Sequence, residues 1–229
     1  MDASNWLSII IPVLNEAANL DATLASACGE AGVEIIVVDG GSEDASIDIA
    51  KQFDAVVIQA SAGRATQMNA GAAIARGDVL LFLHADTRLP PNYATLIHQT
   101  LARPNVVAGA FDLKIDGKEW GLRLVEWGAA RRSRFCQLPY GDQALFIKAH
   151  QFRALNGYPA LPFMEDFVFV RQLKKLGNIA IAPAAVLTSS RRWQQVGVLR
   201  TTIINQLVIV GYSLGVSPIT LRRWYRYFQ

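Results

Sequence analysis

The sequence predicts an α/β fold: a single domain on a mainly parallel sheet flanked by helices, with a helical appendage at its C-terminus. Three observations carry the prediction. Over residues 7–102, short β-branched and aliphatic runs alternate with helix-length amphipathic stretches, the pattern of βαβ units. Polar clusters follow three of the apolar runs: Asn15-Glu16, Asp39-Gly40-Gly41-Ser42 and His84-Ala85-Asp86. Ligands in open α/β sheets bind at the carboxyl ends of the strands, so the three clusters point to one site. Finally, 229 residues at 52% hydrophobic and 18% charged suffice for one sizeable core and exclude a disordered chain. With no internal repeat and no linker, residues 1–200 are assigned to the domain and 201–229 to the appendage.

Each element has its own signal. An apolar run begins at Trp6 and is broken within ten residues by Pro12, Asn15 and Glu16. It reads as a buried strand over residues 7–13, not as a signal peptide, and residues 1–5 carry no basic stretch. Residues 15–28 place Leu20, Leu24 and Cys28 at helical spacing. A second strand covers 34–38, and a helix covers 45–53 with Ser42 or Asp44 as its N-cap. Then come a strand at 55–59, a helix at 63–75 and a strand at 78–83. A helix follows at 90–102 with Pro90 or Pro91 in its first turn. The second half is less regular, with strands at 106–115, 143–147 and 179–181 and a helix within 163–176.

The net charge of +3 conceals an asymmetry. The last acidic residue is Asp166, so residues 167–229 carry +9 and residues 1–166 carry −6. A basic tail on an acidic body selects phosphates or anionic lipid headgroups as partners. No aromatic-studded basic face or nucleic-acid motif is present, which argues against nucleic acid. Cys28 and Cys136 make neither a disulfide framework nor a zinc site, and fit a reducing cytoplasm.

Five clusters carry candidate chemistry, and each also has an ordinary structural explanation. Residues 8–16, Ser-Ile-Ile-Ile-Pro-Val-Leu-Asn-Glu, could be no more than a strand and a helix cap. In Asp39-Gly40-Gly41-Ser42 a strand-end carboxylate can accept from a ribose or a base N–H, and the glycines admit a ligand closely. The same residues also suit a capped βα turn. His84-Ala85-Asp86 empties from an apolar strand, and Asp86 suits Mg²⁺ or Mn²⁺, hard cations that hold substrate phosphates. It equally suits a turn. Glu165-Asp166 sits among apolar residues, where burial and like charge raise a carboxyl pKa and make a general base. A first-turn acidic pair on a helix dipole is the ordinary alternative. In Ser189-Ser190-Arg191-Arg192-Trp193 the arginines suit phosphate and the indole can stack on a sugar; a solvated basic loop is the alternative.

Taken in order, these clusters resemble glycosyltransferase family 2, and more narrowly its small bacterial rSAM/selenodomain-associated transferases. The resemblance runs from about Leu7 to Arg200. It implies the GT-A fold and a hexosyltransferase-type activity with a UDP- or GDP-linked sugar donor and Mn²⁺ or Mg²⁺. It implies that Pro12, Leu14 and Glu16 line the nucleotide pocket, that Asp39 with Gly40 holds the base or ribose, and that Arg64 touches the nucleotide. Asp86 would bind the cation bridging the diphosphate. His84 stands where the family's first metal-motif Asp belongs, so that motif supplies one carboxylate. Asp166 would be the base of an inverting displacement, with Glu165 beside it. Arg191, Arg192 and Trp193 resemble a Gln-x-x-Arg-Trp element that serves diphosphate and acceptor in processive members; the Gln is absent here. Two other readings compete. A nucleotidyltransferase would carry a Gly-rich basic loop after the first strand, where Pro12-Val13-Leu14-Asn15-Glu16 stands instead. A non-catalytic sugar-nucleotide sensor or a membrane scaffold would not need Glu165-Asp166.

Residues 201–221 contain no charged side chain and are flanked by Arg200 and Arg222. Asn205, Gln206, Gly211, Ser213, Gly215, Ser217 and Pro218 make them a poor bilayer span. Ile203, Ile204, Leu207, Val208, Val210 and Leu214 form an apolar helical face. The mix of arginine and aromatics from Leu221 to Phe228 suits a membrane interface. Two placements follow: a peripheral contact at the inner face of the cell membrane, near a lipid-linked acceptor, or a core helix packed on the domain.

Overall fold

In the computed structural model, which describes residues 6–227, β1 (Leu7–Val13), β2 (Val33–Asp39), β3 (Val56–Gln59) and β4 (Val79–Phe82) pair in parallel, in the order β3-β2-β1-β4. The expectations for residues 1–5, for Phe228 and for the side chain of Arg226 lie outside the described residues. The strand order reverses between β1 and β4, the topological switch point at which open α/β sheets bind ligands. Beyond β4 the sheet turns mixed. β7 (Phe146–Lys148) runs antiparallel to β4 and to β6 (Val106–Asp116); β8 (Asn178–Ser189) is parallel to β6; two-residue β5 (Thr87–Arg88) closes the edge.

β1 is buried on both faces because helices cover both. Ile9 and Ile11 meet Leu20 and Leu24 of α1 (Ala17–Ala27) and Ile97 of α4 (Tyr93–Leu101). Ile10 meets Met68 of α3 (Arg64–Ile74), Phe152 of α6 (Ala149–Ala154) and Phe169 of α7 (Glu165–Leu173). Each such isoleucine contributes about 2 kcal/mol. Pro12 is tolerated in a central strand because β4 stops pairing at Ile10–Phe82, so the missing N–H costs no ladder bond on that side.

Four expectations are corrected. Ser42 does not cap α2 (Ser46–Gln52); Asp44 does, accepting from the Ser46 amide at 3.0 Å. Ser42 and Asp44 also accept from the Asn15 and Ala17 amides, and Ser46 from Glu16, so this loop caps the neighbouring helix α1 as well. α4 starts at Tyr93, after Pro90 and Pro91, because a residue before proline is pushed out of the helical region. β8 runs twelve residues, not three, since a register irregularity beside Ala110 and Asp112 admits Pro183. α5 (Trp120–Cys136) has no counterpart in the sequence reading. It buries only Leu122, Ala129 and Ser133 while Trp120, Leu124, Trp127 and Phe135 stay exposed, so no regular apolar stripe marks it.

The chain ends in α8 (Arg191–Val196), α9 (Val198–Ser213) and α10 (Pro218–Tyr227). The division at residue 200 thus falls inside a helix. Val208 and Leu221 pack with Met164 and Phe167 in a small core of their own, so α9 and α10 roof the segment leading into α7. The other side of α9 exposes Ile203, Leu207, Val210 and Leu214. Among the described residues no helix is long and apolar enough to cross a membrane.

Candidate active site

The loop that leaves β4 and the start of α7 meet beneath this roof. A cavity of about 200 Å³ is lined by Arg64, His84, Asp86, Asp142, Glu165, Asp166, Arg192 and Trp193, with Asn205, Val208, Ile209 and Tyr225 descending from α9 and α10. Seven of these are residues the sequence singled out. Asp142, together with Tyr140 and Gly141, is one it missed. The sequence signal for that turn is a Gly-Asp-Gln run between two apolar stretches. The turn is held by Gln143, which is fully buried, donates to the Phe111 carbonyl and accepts from Ser133 and Arg132.

The four carboxyl groups differ. The Asp166 carboxylate accepts from the Gly141 amide at 2.8 Å and the Phe167 amide at 2.7 Å. Glu165 beside it is nearly buried, and burial with the Asp166 charge raises its pKa to about 7. Burial also raises the Asp86 pKa, with Glu16 adding to the effect. It raises that of Asp142, whose Oδ1 has no hydrogen-bond partner. His84 is held down to about 3 by burial and by Arg64, so its imidazole is neutral at physiological pH. A Cβ on residue 141 would lie 2.9 Å from His84 Nε2 and 3.2 Å from Asp166 Oδ2, so only glycine fits between them without displacement.

Two arginines face these groups. Burial and Arg64 lower the Arg192 pKa to about 10, which leaves it charged. Its guanidinium lies 4.3 Å from the Tyr225 ring centroid, and its Nε is buried without a partner. Among the described residues neither Arg64 nor Arg192 is ion-paired, and neither are Asp86, Asp142, Glu165 and Asp166. Trp193 lines the cavity, packs against the main core, and leaves its Nε1 buried and unpartnered. Orphaned buried polar atoms are rare in native proteins, and three of them meet at this cavity.

The remaining predicted residues lie outside this cavity. Pro12, Leu14 and Gly40 stand at the ends of β1 and β2; Pro12 is half-buried and Leu14 exposed. Asp39 is fully buried and accepts from the Gly41 and Ser42 amides, so it shapes the loop that leaves β2. The carboxylate of Glu16 accepts from Arg191 at 2.7 and 2.9 Å, an ion pair that joins the end of β1 to the start of α8. Gln67 donates to both the Val13 and Val38 carbonyls and ties the two strand ends together under Gly40.

An open α/β sheet with its cavity at the switch point is the GT-A arrangement, and solved structures share it. A mannosyltransferase of Pyrobaculum calidifontis in complex with GDP-Man and Mn²⁺ superposes over 97% of this chain and 69% of its own, with TM-score 0.64 at 18% identity. Staphylococcus aureus TarS 1–349 in complex with UDP superposes over 88% of this chain and 65% of its own, with TM-score 0.63 at 16% identity. Residues 8–156 match the family model of glycosyl transferase family 2, and the chain belongs to that family. A Pseudomonas fluorescens undecaprenyl-phosphate 4-deoxy-4-formamido-L-arabinose transferase is 31% identical over 151 residues, covering 59% of this chain and 44% of that protein. The chain therefore spans less than half the length of this relative.

Proposed function

We propose that the protein is an inverting glycosyltransferase that moves a sugar from a UDP- or GDP-linked donor to an acceptor hydroxyl. The observation that carries the reading is the convergence of four carboxyl groups and two arginines, none ion-paired, in one cavity at the switch point. Asp166 takes the proton of the acceptor hydroxyl. That oxygen bonds to the anomeric carbon from the face opposite the diphosphate, and the bond to the diphosphate oxygen breaks, inverting the configuration. Arg64 and Arg192 offset the charge growing on the departing diphosphate, an electrostatic stabilisation in a partly desolvated site. Pro12, Leu14 and Gly40 form the rim proposed for the nucleotide.

Mn²⁺ or Mg²⁺ belongs on Asp86 in this reading, with neutral His84 alongside. Among the described residues no cluster of three or more metal-ligating side chains exists. One carboxylate fits a hard cation that takes its other ligands from the diphosphate and water. Such an ion supplies Lewis-acid stabilisation of the leaving group. The Mn²⁺ and GDP-Man of the mannosyltransferase neighbour and the UDP of TarS support a divalent cation and a UDP- or GDP-linked donor. Given a panel of UDP- and GDP-sugars with Mn²⁺, the purified protein is expected to release nucleoside diphosphate. Release of pyrophosphate would mean a nucleotidyltransferase; binding with neither product would mean a non-catalytic sensor.

The acceptor is proposed to be lipid-linked, with the exposed face of α9 resting on an anionic membrane surface on the cytoplasmic side. The arabinose transferase relative, named for undecaprenyl phosphate, supports this. Full-length protein is expected to float with phosphatidylglycerol-rich liposomes at low salt, and Ile203→Glu/Leu207→Glu is expected not to. Truncation at Arg200 is the poorer test, since it removes buried Ile204 and Val208 along with the surface. Equal failure of wild type and variant to float rules out the membrane contact.

A further inference from the structure

A second, larger cavity of about 1350 Å³ opens between α5, α7 and α9. Its wall is mostly apolar, with Trp120, Leu124, Val125, Leu138, Leu199 and Ile209 among its residues. Tyr140, Asp142, Phe167, Trp193 and Asn205 line both this cavity and the catalytic one, so the two are contiguous. Among the lining residues Trp120 is 77%, Leu124 57% and Leu199 75% exposed, and apolar side chains exposed together around one cavity mark a ligand or partner site. Arg132, Arg171, Lys174 and Lys175 also line it, against two acids, Glu119 and Asp142. None of the four cations is ion-paired with an acid among the described residues. Arg132 stacks on Tyr140, Arg171 lies over Phe167, and Lys174 donates to the Cys136 carbonyl.

We propose that this cavity binds the hydrocarbon chain of an amphiphilic acceptor whose anionic head lies against Arg132 and Arg171, which stand over Tyr140 and Phe167 of the wall shared with the catalytic cavity. A long apolar channel with a cationic border discriminates against free sugars and inorganic phosphate, because neither buries enough apolar surface to bind there. Calling the occupant an acceptor rests on the glycosyltransferase reading; the binding itself does not.

The test is calorimetric titration of the full-length protein with a C15 isoprenyl monophosphate below its micelle concentration, beside the C5 isoprenyl monophosphate, the C15 alcohol and inorganic phosphate. The C15 phosphate is expected to bind about 100-fold or more tighter than the C5 phosphate, and about ten-fold tighter than the alcohol. Gly128 lines the cavity from α5, and a Cβ there meets nothing within 4 Å, so Gly128→Phe is chosen to project a ring into the cavity. It is expected to weaken C15 phosphate binding about ten-fold or more, with C5 binding and Mn²⁺-dependent UDP binding as in wild type. Leu124→Trp, at a 57% exposed position, is the second plug should Gly128→Phe fail to fold. Equal binding of C5 and C15 phosphates, or wild-type C15 affinity in a folded plug variant, overturns the proposal. Equal affinity for phosphate and alcohol overturns its anionic half. Failure of the wild type to bind either UDP or GDP with Mn²⁺ would defeat the glycosyltransferase reading, while the lipid titration still judges the cavity.

Discussion

Asp166→Asn is expected to lower turnover about 10²–10⁴-fold while donor affinity stays near wild type. The amide keeps the shape of the carboxylate but cannot accept the acceptor's proton. Its oxygen can still receive the Gly141 amide, which holds the side chain 2.8 Å away, so the turn that carries Asp142 should survive. Steady-state kinetics at saturating acceptor, with donor binding measured separately, distinguishes this from a binding defect. Glu165→Gln is expected to cost less activity; if it proves the more damaging change, Glu165 is the base. The same variant carries a signed stability effect. Glu165 titrates at about 7 in the fold against an ordinary 4.5, so the folded state retains a proton that the unfolded state releases. Stability therefore falls as pH rises from about 4.5 through about 7, by about 3 kcal/mol in total. Glu165→Gln removes that penalty, and its melting temperature is expected to exceed wild type by about 5 °C at pH 8.5. At pH 4 the two should melt alike. An identical pH dependence of melting in both proteins would show that Glu165 is not the group held protonated.

Asp86→Ala is expected to abolish Mn²⁺-dependent binding of nucleoside diphosphate and to reduce sugar transfer by about 10²–10³-fold or more. Asp86 is the one carboxylate of the loop that leaves β4, and its pKa is raised by burial and by Glu16. A divalent cation relieves that electrostatic cost, so metal and ligand should bind cooperatively in wild type and not in the variant. The fold should hold. The loop is fixed by backbone, with the Asp86 carbonyl accepting from the Ser189 amide, and the side chain makes only a 3.4 Å contact to Thr87. Titration of UDP or GDP with and without Mn²⁺ gives the answer. Tight, metal-dependent diphosphate binding by Asp86→Ala would remove Asp86 from the metal site.

The first half of the fold was legible because its determinants are local. Apolar runs of strand length, helical periodicity and Gly-Gly punctuation each act within about ten residues, and they located β1 to β4 and the polar clusters at their ends. Topology then gathers strand ends, so His84 and Asp86 could be assigned to a site before any contact was known, whereas Arg64 was named only by the family resemblance. The clusters around Asp166 and Arg192 were visible by composition, as charge set in apolar surroundings.

Tertiary structure decided the rest, because the relevant contacts join residues far apart in the chain. Glu16 and Arg191, both expected to serve a ligand, lie 175 positions apart and bind each other. Asp142 enters the site because Gly141 donates to Asp166 across 25 residues and because buried Gln143 anchors the turn. Asp39 reads as a ligand group at a strand end, and in the fold it also shapes its own loop by accepting from the amides there. The C-terminal segment was readable as apolar and basic, but an apolar helix face carries no record of what will cover it. Packing settled that one side of α9 buries Ile204 and Val208, the latter over the catalytic cavity, and left Ile203 and Leu207 exposed. Periodicity and punctuation are properties of neighbouring residues and can be read in order; which apolar faces meet depends on the energy of the whole packed chain, and no short stretch of sequence contains it.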